Sequence, residues 1–245
     1  MIGVIFIVSA LGTWCDSYKK YEVSKESKYM LSYNWIGGMC SIEKCSIPKD
    51  KVIIEDGMVL NGLAVIEDGA TKKCCDFDGR RDDLESFIPN LINHNYFYQS
   101  EISNYWSGYS ECDIAAKSYV IHGTCLPKEY HTPYGYFNAT LLLFQNYNVW
   151  TTLRHYNYIT GKQYVYSKQK INDLLSVRGF LAPVQWRCEN PEDKQMLTSV
   201  NVCFTPSADK FLQTECPEIT GQQQCPDYFY FAEMPPTPRE TKCAY

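Results

Sequence analysis

The 245-residue chain has no surplus of positive charge: 23 Lys and Arg stand against 28 Asp and Glu, a formal net charge of -5. A balance of that sign does not gather polyanions non-specifically, so any contact with one has to come from a local pocket. Histidine is scarce, with four residues, His94, His122, His131 and His155, scattered along the chain. No Cys-x-x-Cys pair occurs, and with the histidines so dispersed a zinc site is not expected. After the first dozen residues no stretch is long and apolar enough for a membrane helix. There is also no internal repeat, no low-complexity segment and no linker long enough to split the chain. With 45% hydrophobic and 21% charged residues, the composition excludes a disordered chain and allows one good-sized core or two small ones.

Cysteine, by contrast, is abundant. There are 12: Cys15, Cys40, Cys45, Cys74, Cys75, Cys112, Cys125, Cys188, Cys203, Cys216, Cys225 and Cys243. That density suits an oxidising compartment and several disulfides. Ile2 to Leu11 is an apolar run too short to span a bilayer, and Ala10-Leu11-Gly12 places small residues at both key positions of a signal-peptidase site. Residues 1–12 are therefore read as a secretion signal, with cleavage as late as Cys15 as the variant. The rival reading, a buried N-terminal strand, draws on the missing Lys or Arg before the run. Asn138-Ala139-Thr140 is a glycosylation sequon, which makes sense only in a secreted chain. The expected location is extracellular, with a lysosome-like compartment as the alternative.

Residues 16–245 read as one α+β domain with a stiff Pro-rich tail at Pro235-Pro236-Thr237-Pro238. Tyr29 to Trp35 is rich in aromatics and predicts a strand, ended by a turn at Gly37-Gly38. Met58 to Val65 predicts a second buried strand, interrupted at Asn61-Gly62. Leu84, Phe87, Ile88, Leu91 and Ile92 keep helical spacing within 84–106, and Pro89 predicts a break or kink there. Tyr134 to Tyr147 predicts a stronger helix, Ile171 to Leu175 a short one. Gln195 to Phe204 alternates as a strand, and Tyr228 to Phe231 is an apolar aromatic run.

The most informative stretch is Ile121-His122-Gly123-Thr124-Cys125: a reactive side chain, a tight glycine step, then a cysteine. Taken with Leu60-Asn61-Gly62-Leu63-Ala64-Val65, with Trp35-Ile36-Gly37 leading to Cys40, with Tyr105-Trp106 and with Trp186-Arg187-Cys188, it resembles the ribonuclease T2 family of secreted acid ribonucleases. The resemblance runs from about Tyr29 to Pro236. It implies a central antiparallel sheet packed with helices and braced by disulfides. It further implies pairs Cys40–Cys45, Cys188–Cys225 and Cys203–Cys216. Cys125 would pair with Cys74 or Cys75, preferably Cys75, and Cys112 with the other, giving Cys74–Cys112. Cys15 and Cys243 are left over, to pair with each other or to link two chains.

Members of this family cleave RNA through its own 2′-hydroxyl, leaving a 2′,3′-cyclic phosphate. The route needs no metal or other cofactor and cannot cut DNA. It does need two imidazoles, one as base and one as acid, with charged groups stabilising the phosphate. Here the second segment keeps His122, while the first-segment histidine is Asn61, which does not titrate near neutral pH. In the family's His-Glu-Trp-x-Lys-His run, the first histidine is replaced by Lys117, the glutamate by Ser118 and the lysine by Ile121. The first segment's tryptophan is Ala64. Each lost proton-transfer group costs ~10²–10⁴ in rate. The resemblance therefore implies a non-catalytic member that binds single-stranded RNA, a protein or a glycan. The runner-up is a weak endoribonuclease with His122 as residual base. Lys117 is the phosphate-binding candidate, weighed evenly against a solvated surface lysine.

Overall fold

The computed structural model describes residues 14–42, 45, 57–106, 113–189, 194–207 and 210–233. Residues 1–12, read above as a secretion signal, and Cys112, Cys243 and the Pro-rich tail lie outside the described residues. In chain order the elements are β1 (Lys19–Lys20), β2 (Lys28–Trp35), α1 (Ile36–Ile42), β3 (Met58–Glu67), β4 (Ala70–Thr71), β5 (Cys75–Asp76), α2 (Leu84–His94), α3 (Tyr96–Tyr105) and α4 (Ile114–Ile121). A 3₁₀ turn (Gly123–Cys125) follows, then α5 (Pro133–Asn146), α6 (Val149–His155), β6 (Tyr166–Ser167), α7 (Lys168–Val177), β7 (Gln185–Cys188), β8 (Leu197–Ser207), β9 (Lys210–Thr214) and β10 (Tyr228–Phe229).

The centre is a six-stranded antiparallel sheet in the order β4-β3-β2-β8-β7, with β9 also on β8. Alternation along each strand sorts its residues to two faces. Tyr29, Leu31, Tyr33 and Trp35 of β2, with Leu197, Val200, Val202 and Phe204 of β8, enter the main core beneath the helices. There Trp35 packs edge-on to Trp150 and Phe231, ring centroids 4.6 and 5.3 Å away, and its Nε1–H donates to the Ala232 carbonyl at 2.8 Å. The other face carries Ser32 and Asn34 of β2, Ser199 and Asn201 of β8 and, opposite these, Gln185 and Arg187 of β7, and the candidate site lies on that face.

Between β2 and β3 the register slips by one residue. Ser32 pairs with Gly62 and Tyr33 with Leu60, so Asn61 is the extra residue of a β-bulge. The slip is visible in the packing: Leu60 and Leu63, three apart, both enter the core.

Two local expectations are corrected. Gly37 and Gly38 do not form a turn; they open α1, where a Cβ would fall 2.0 Å from the Ala232 carbonyl oxygen and 1.8 Å from that of Leu197. They serve close backbone approach rather than chain reversal. Pro89 does not break its helix. The break falls at Asn95, which caps α2 and whose side chain accepts from the Tyr98 amide to start α3. Leu84, Ile88 and Ile92, buried at four-residue spacing, hold α2 to the core across the proline.

Among the described residues the disulfides are Cys15–Cys74, Cys40–Cys45, Cys75–Cys125, Cys188–Cys225 and Cys203–Cys216. The expected Cys74–Cys112 pair is corrected: Cys74 is bonded to Cys15, so Cys15 is not left over for a link between chains. The physical reason is β1, which runs parallel to β5 with Lys19 opposite Cys75 and brings the N-terminal arm alongside. Among the described residues no helix is long and apolar enough to cross a membrane.

Candidate active site

His122 caps the C-terminus of α4, its amide donating to the Ser118 carbonyl at 2.9 Å. The following turn is locked from several sides. Thr124 Oγ1 donates to the Val120 carbonyl and accepts from the Cys75 amide, at 3.1 and 3.2 Å, while Cys125 is bonded to Cys75. A Cβ at Gly123 would meet the Tyr119 and Tyr136 rings at 2.6 and 2.8 Å, so only glycine fits there. The loop before β5 is zipped to the same helix end, the Cys74 amide donating to the Ile121 carbonyl at 2.7 Å.

That loop fixes the imidazole. Nδ1 of His122 lies 3.1 Å from the Lys72 carbonyl. A carbonyl only accepts, so in the neutral ring Nδ1 carries the proton and Nε2 remains as the basic nitrogen. Burial of the ring pulls its pKa down to about 4; the Lys72 hydrogen bond opposes this and the Lys73 ammonium adds to it.

His122 borders a cavity of about 190 Å³ on the polar face of the sheet. Asn61, Gly62 and Ala64 of β3 line it, with Ser32 and Asn34 of β2, Ser199 and Asn201 of β8, and Lys73 from the loop. The bulge is what turns Asn61 into this space. Lys73 and His122 are its titratable lining groups, and no Asp or Glu is among the described residues that line it.

A buried polar ladder stiffens the floor. Ser32 Oγ donates to Asn201 Oδ1 at 2.9 Å, and Asn201 Nδ2 donates to Gln185 Oε1 at 3.1 Å. Arg187, 1% exposed, donates through Nη2 to the same Gln185 oxygen at 2.7 Å. Its buried Nε has no hydrogen-bond partner among the described residues, and burial lowers its pKa, partly offset by Glu189. The floor therefore presents oriented amides and hydroxyls with a buried cation behind them.

Of the positions singled out in the sequence, His122 and Asn61 come together at the cavity. Ser118, Ile121 and Lys117 do not line it. Ser118 is buried, its Oγ 2.7 Å from the Tyr136 hydroxyl, which accepts from the Leu63 amide at 3.2 Å. It fills the space left by Gly62, where a Cβ would sit 1.9 Å from Ser118 Oγ. Ile121 packs against the main core. Lys117 is half-buried on α4, and Lys73 is the ammonium that lines the cavity. The other described histidines stand apart from it: His94 Nδ1 meets the Asn90 carbonyl at 2.7 Å, His131 stacks on Phe77 at 4.2 Å, and His155 lies against Tyr156.

Sequence reasoning missed Lys73 and the sheet-floor amides. The signals were present: Ser32 and Asn34 alternate with buried aromatics in β2, and Lys73 directly precedes the cysteines that brace the His122 turn.

A disulfide-braced antiparallel sheet with a His-Gly-Thr-Cys turn at its polar face defines a ribonuclease-type fold. The chain belongs to the ribonuclease T2 family, whose model matches residues 26–219. Among solved structures it is similar to trichomaglin, described as a novel S-like ribonuclease, with a TM-score of 0.64 and 20% identity over 85% of this chain and 98% of that one. It is also similar to an RNase-related protein from Calystegia sepium (TM-score 0.62, 22% identity, 84% of this chain and 97% of that one). Ribonuclease MC1 from the seeds of bitter gourd matches likewise (TM-score 0.62, 19% identity, 84% and 100%). No curated protein matches the chain.

Proposed function

We propose that this chain is a secreted T2-family protein that has lost RNA cleavage and uses the retained cavity to bind single-stranded RNA without cutting it. The observation that carries the reading is the pairing at the cavity: one imidazole, His122, with an amide, Asn61, on the strand where transesterification needs a second proton-transfer group. His122 Nε2 can take a proton from a 2′-hydroxyl. Asn61 cannot return one to the leaving oxygen. Ser118 and Ile121 supply neither an acid nor a cation to the cavity, which removes stabilisation of the charge developing on the phosphate.

Binding survives these losses. Lys73 offers a cation for one phosphate, and the amides of Asn34 and Asn61 offer paired donors and acceptors to a base edge. The five disulfides among the described residues support secretion.

The test is single-stranded RNA incubated with the purified chain at acidic and neutral pH. We expect retention of RNA with no cleavage above a His122→Ala control. Lys73→Ala should weaken binding and shallow its salt dependence by about one phosphate contact. Cleavage that disappears in His122→Ala would establish instead the weak endoribonuclease reading. Its rate would then climb through pH ~4 and level off, following the lowered His122 pKa, with no falling limb from a second imidazole.

A further inference from the structure

The exposed side of α5 beside α3 carries aromatic rings that the core does not use. Tyr134 is 51% exposed and Phe97 is 56% exposed. Between them sits the buried Tyr98, its ring 5.7 Å from that of Tyr134 and 5.6 Å from that of Phe97. The Tyr98 hydroxyl donates to Oδ1 of Asn138 at 3.0 Å. Asn138 is exposed and lies four residues after Tyr134 in α5, hence on the same helix face one turn on. This is the asparagine of the Asn138-Ala139-Thr140 sequon.

We propose that Asn138 carries an N-linked glycan whose first sugar rests on the shelf made by Tyr134 and Phe97. The chemistry and the geometry agree. Glycosylation forms a bond from Nδ2 to the anomeric carbon of a lipid-pyrophosphate-linked oligosaccharide; Nδ2 loses one proton and the lipid pyrophosphate leaves. The amide carbonyl is untouched, so the Tyr98 bond to Oδ1 persists in the modified side chain and holds its attachment nitrogen away from the protein. A pyranose has an apolar C–H face, and the electron-rich faces of exposed aromatic rings are suited to cover it. The covered rings would otherwise present an apolar patch to solvent.

The structure also assigns the timing. Thr140 is fully buried, with Oγ1 donating to the Tyr136 carbonyl at 2.7 Å. The hydroxyl that makes the triplet a sequon is out of reach once α5 has packed, so the sugar is added before folding.

The inference rests on entry into the secretory route but is tested independently of the native leader. The full chain is expressed in eukaryotic cells behind a heterologous secretion signal, and the secreted protein is digested with peptide-N-glycosidase in heavy-oxygen water. We expect the isotope label in the aspartate that hydrolysis leaves in place of Asn138, and loss of the glycan in Asn138→Gln. Removal of the glycan from the wild type should lower Tm by about 2–4 °C. In the Phe97→Ala/Tyr134→Ala double variant, occupancy should stay the same and the glycan should no longer change Tm. An unmodified Asn138 in the secreted chain overturns the site. A glycan whose effect on Tm is the same in the double variant overturns the shelf.

Discussion

At the scale of single residues, His122 is held in place by its surroundings on every side. Its ring is a structural donor to the Lys72 carbonyl, a bond that either protonation state makes, and it is burial that holds the imidazole neutral. The folded pKa of about 4 lies below the ordinary 6.5, so the unfolded chain binds the proton more tightly. Stability from this group is complete above pH ~6.5 and is lost as pH falls toward 4, by on the order of 3 kcal/mol. Glu67 adds a second, lower window. Burial raises its pKa, but hydrogen bonds from Ser27, Lys72, Ser24 and Tyr21 outweigh this and hold it at about 2, against an ordinary 4.5. Its contribution is present above pH ~4.5 and is lost toward 2. Urea unfolding across pH 7 to 4 should show the His122 slope in the wild type and a flattened one in His122→Asn, which keeps a donor but no titration. An unchanged slope would mean that His122 is not the group being titrated. Asn61 can be tested in the opposite sense. Asn61→His places a second imidazole at the cavity, and cleavage of single-stranded RNA should rise by on the order of 10²-fold over the parent. That gain should vanish when His122→Ala is added. No gain at all would point to the positions of Ser118 and Ile121 as the decisive losses.

At the scale of elements, the β2–β3 bulge decides what the site contains. It adds Asn61 to the strand and leaves Gly62 with φ +144°, a conformation that side chains rarely adopt, directly over Ser118. Gly62→Ala should therefore cost about 2 kcal/mol or more, from backbone strain and overlap with Ser118 Oγ, and lower Tm by several degrees. Adding Ser118→Gly should recover part of that loss by making room, which thermal unfolding of the double variant checks. Much of this was legible in the chain. The alternating aromatics of Tyr29 to Trp35 identified β2, and Asn61-Gly62 showed where β3 would be disturbed. What was not legible depended on contacts distant in sequence. Gly37 and Gly38 look like turn residues until Ala232 and Leu197 are seen against them. Pro89 looks like a break until the buried stripe Leu84-Ile88-Ile92 carries the helix past it. Lys117, four residues from Ile121 on α4, was the obvious cation, yet the cavity takes its cation from a loop about 50 residues earlier, brought there by Cys75–Cys125, a separation of 50.

At the scale of the whole molecule, two adjacent disulfides gather three distant pieces at one point. Cys75–Cys125 ties the loop after β4 to the His122 turn, and Cys15–Cys74 ties the N-terminal arm to the same loop. Lys72 and Lys73 sit directly before this double anchor. One carbonyl there orients His122 and one ammonium lines the cavity, so the crosslinks position the site as well as stabilise the fold. The Cys15–Cys74 bond spans a separation of 59, and closing a loop of that length is worth about 4 kcal/mol in a chain-entropy model. The arm has further attachments: the Lys19 amide donates to the Cys74 carbonyl, and the Trp14 amide to Glu85 Oε1, at 2.9 and 2.7 Å. Those bonds keep the arm near its place after the disulfide is removed, but they do not fix the loop's side chains. The double variant Cys15→Ser/Cys74→Ser should accordingly fold, unfold at lower denaturant by about 2–4 kcal/mol, and bind single-stranded RNA several-fold more weakly. Combining it with Lys73→Ala separates the two effects. If the disulfide acts by holding Lys73 at the cavity, removing Lys73 first leaves little binding for the serine variants to lose. If the losses instead add in full, the crosslink stabilises the fold without positioning the site, and the cation that meets the phosphate lies elsewhere.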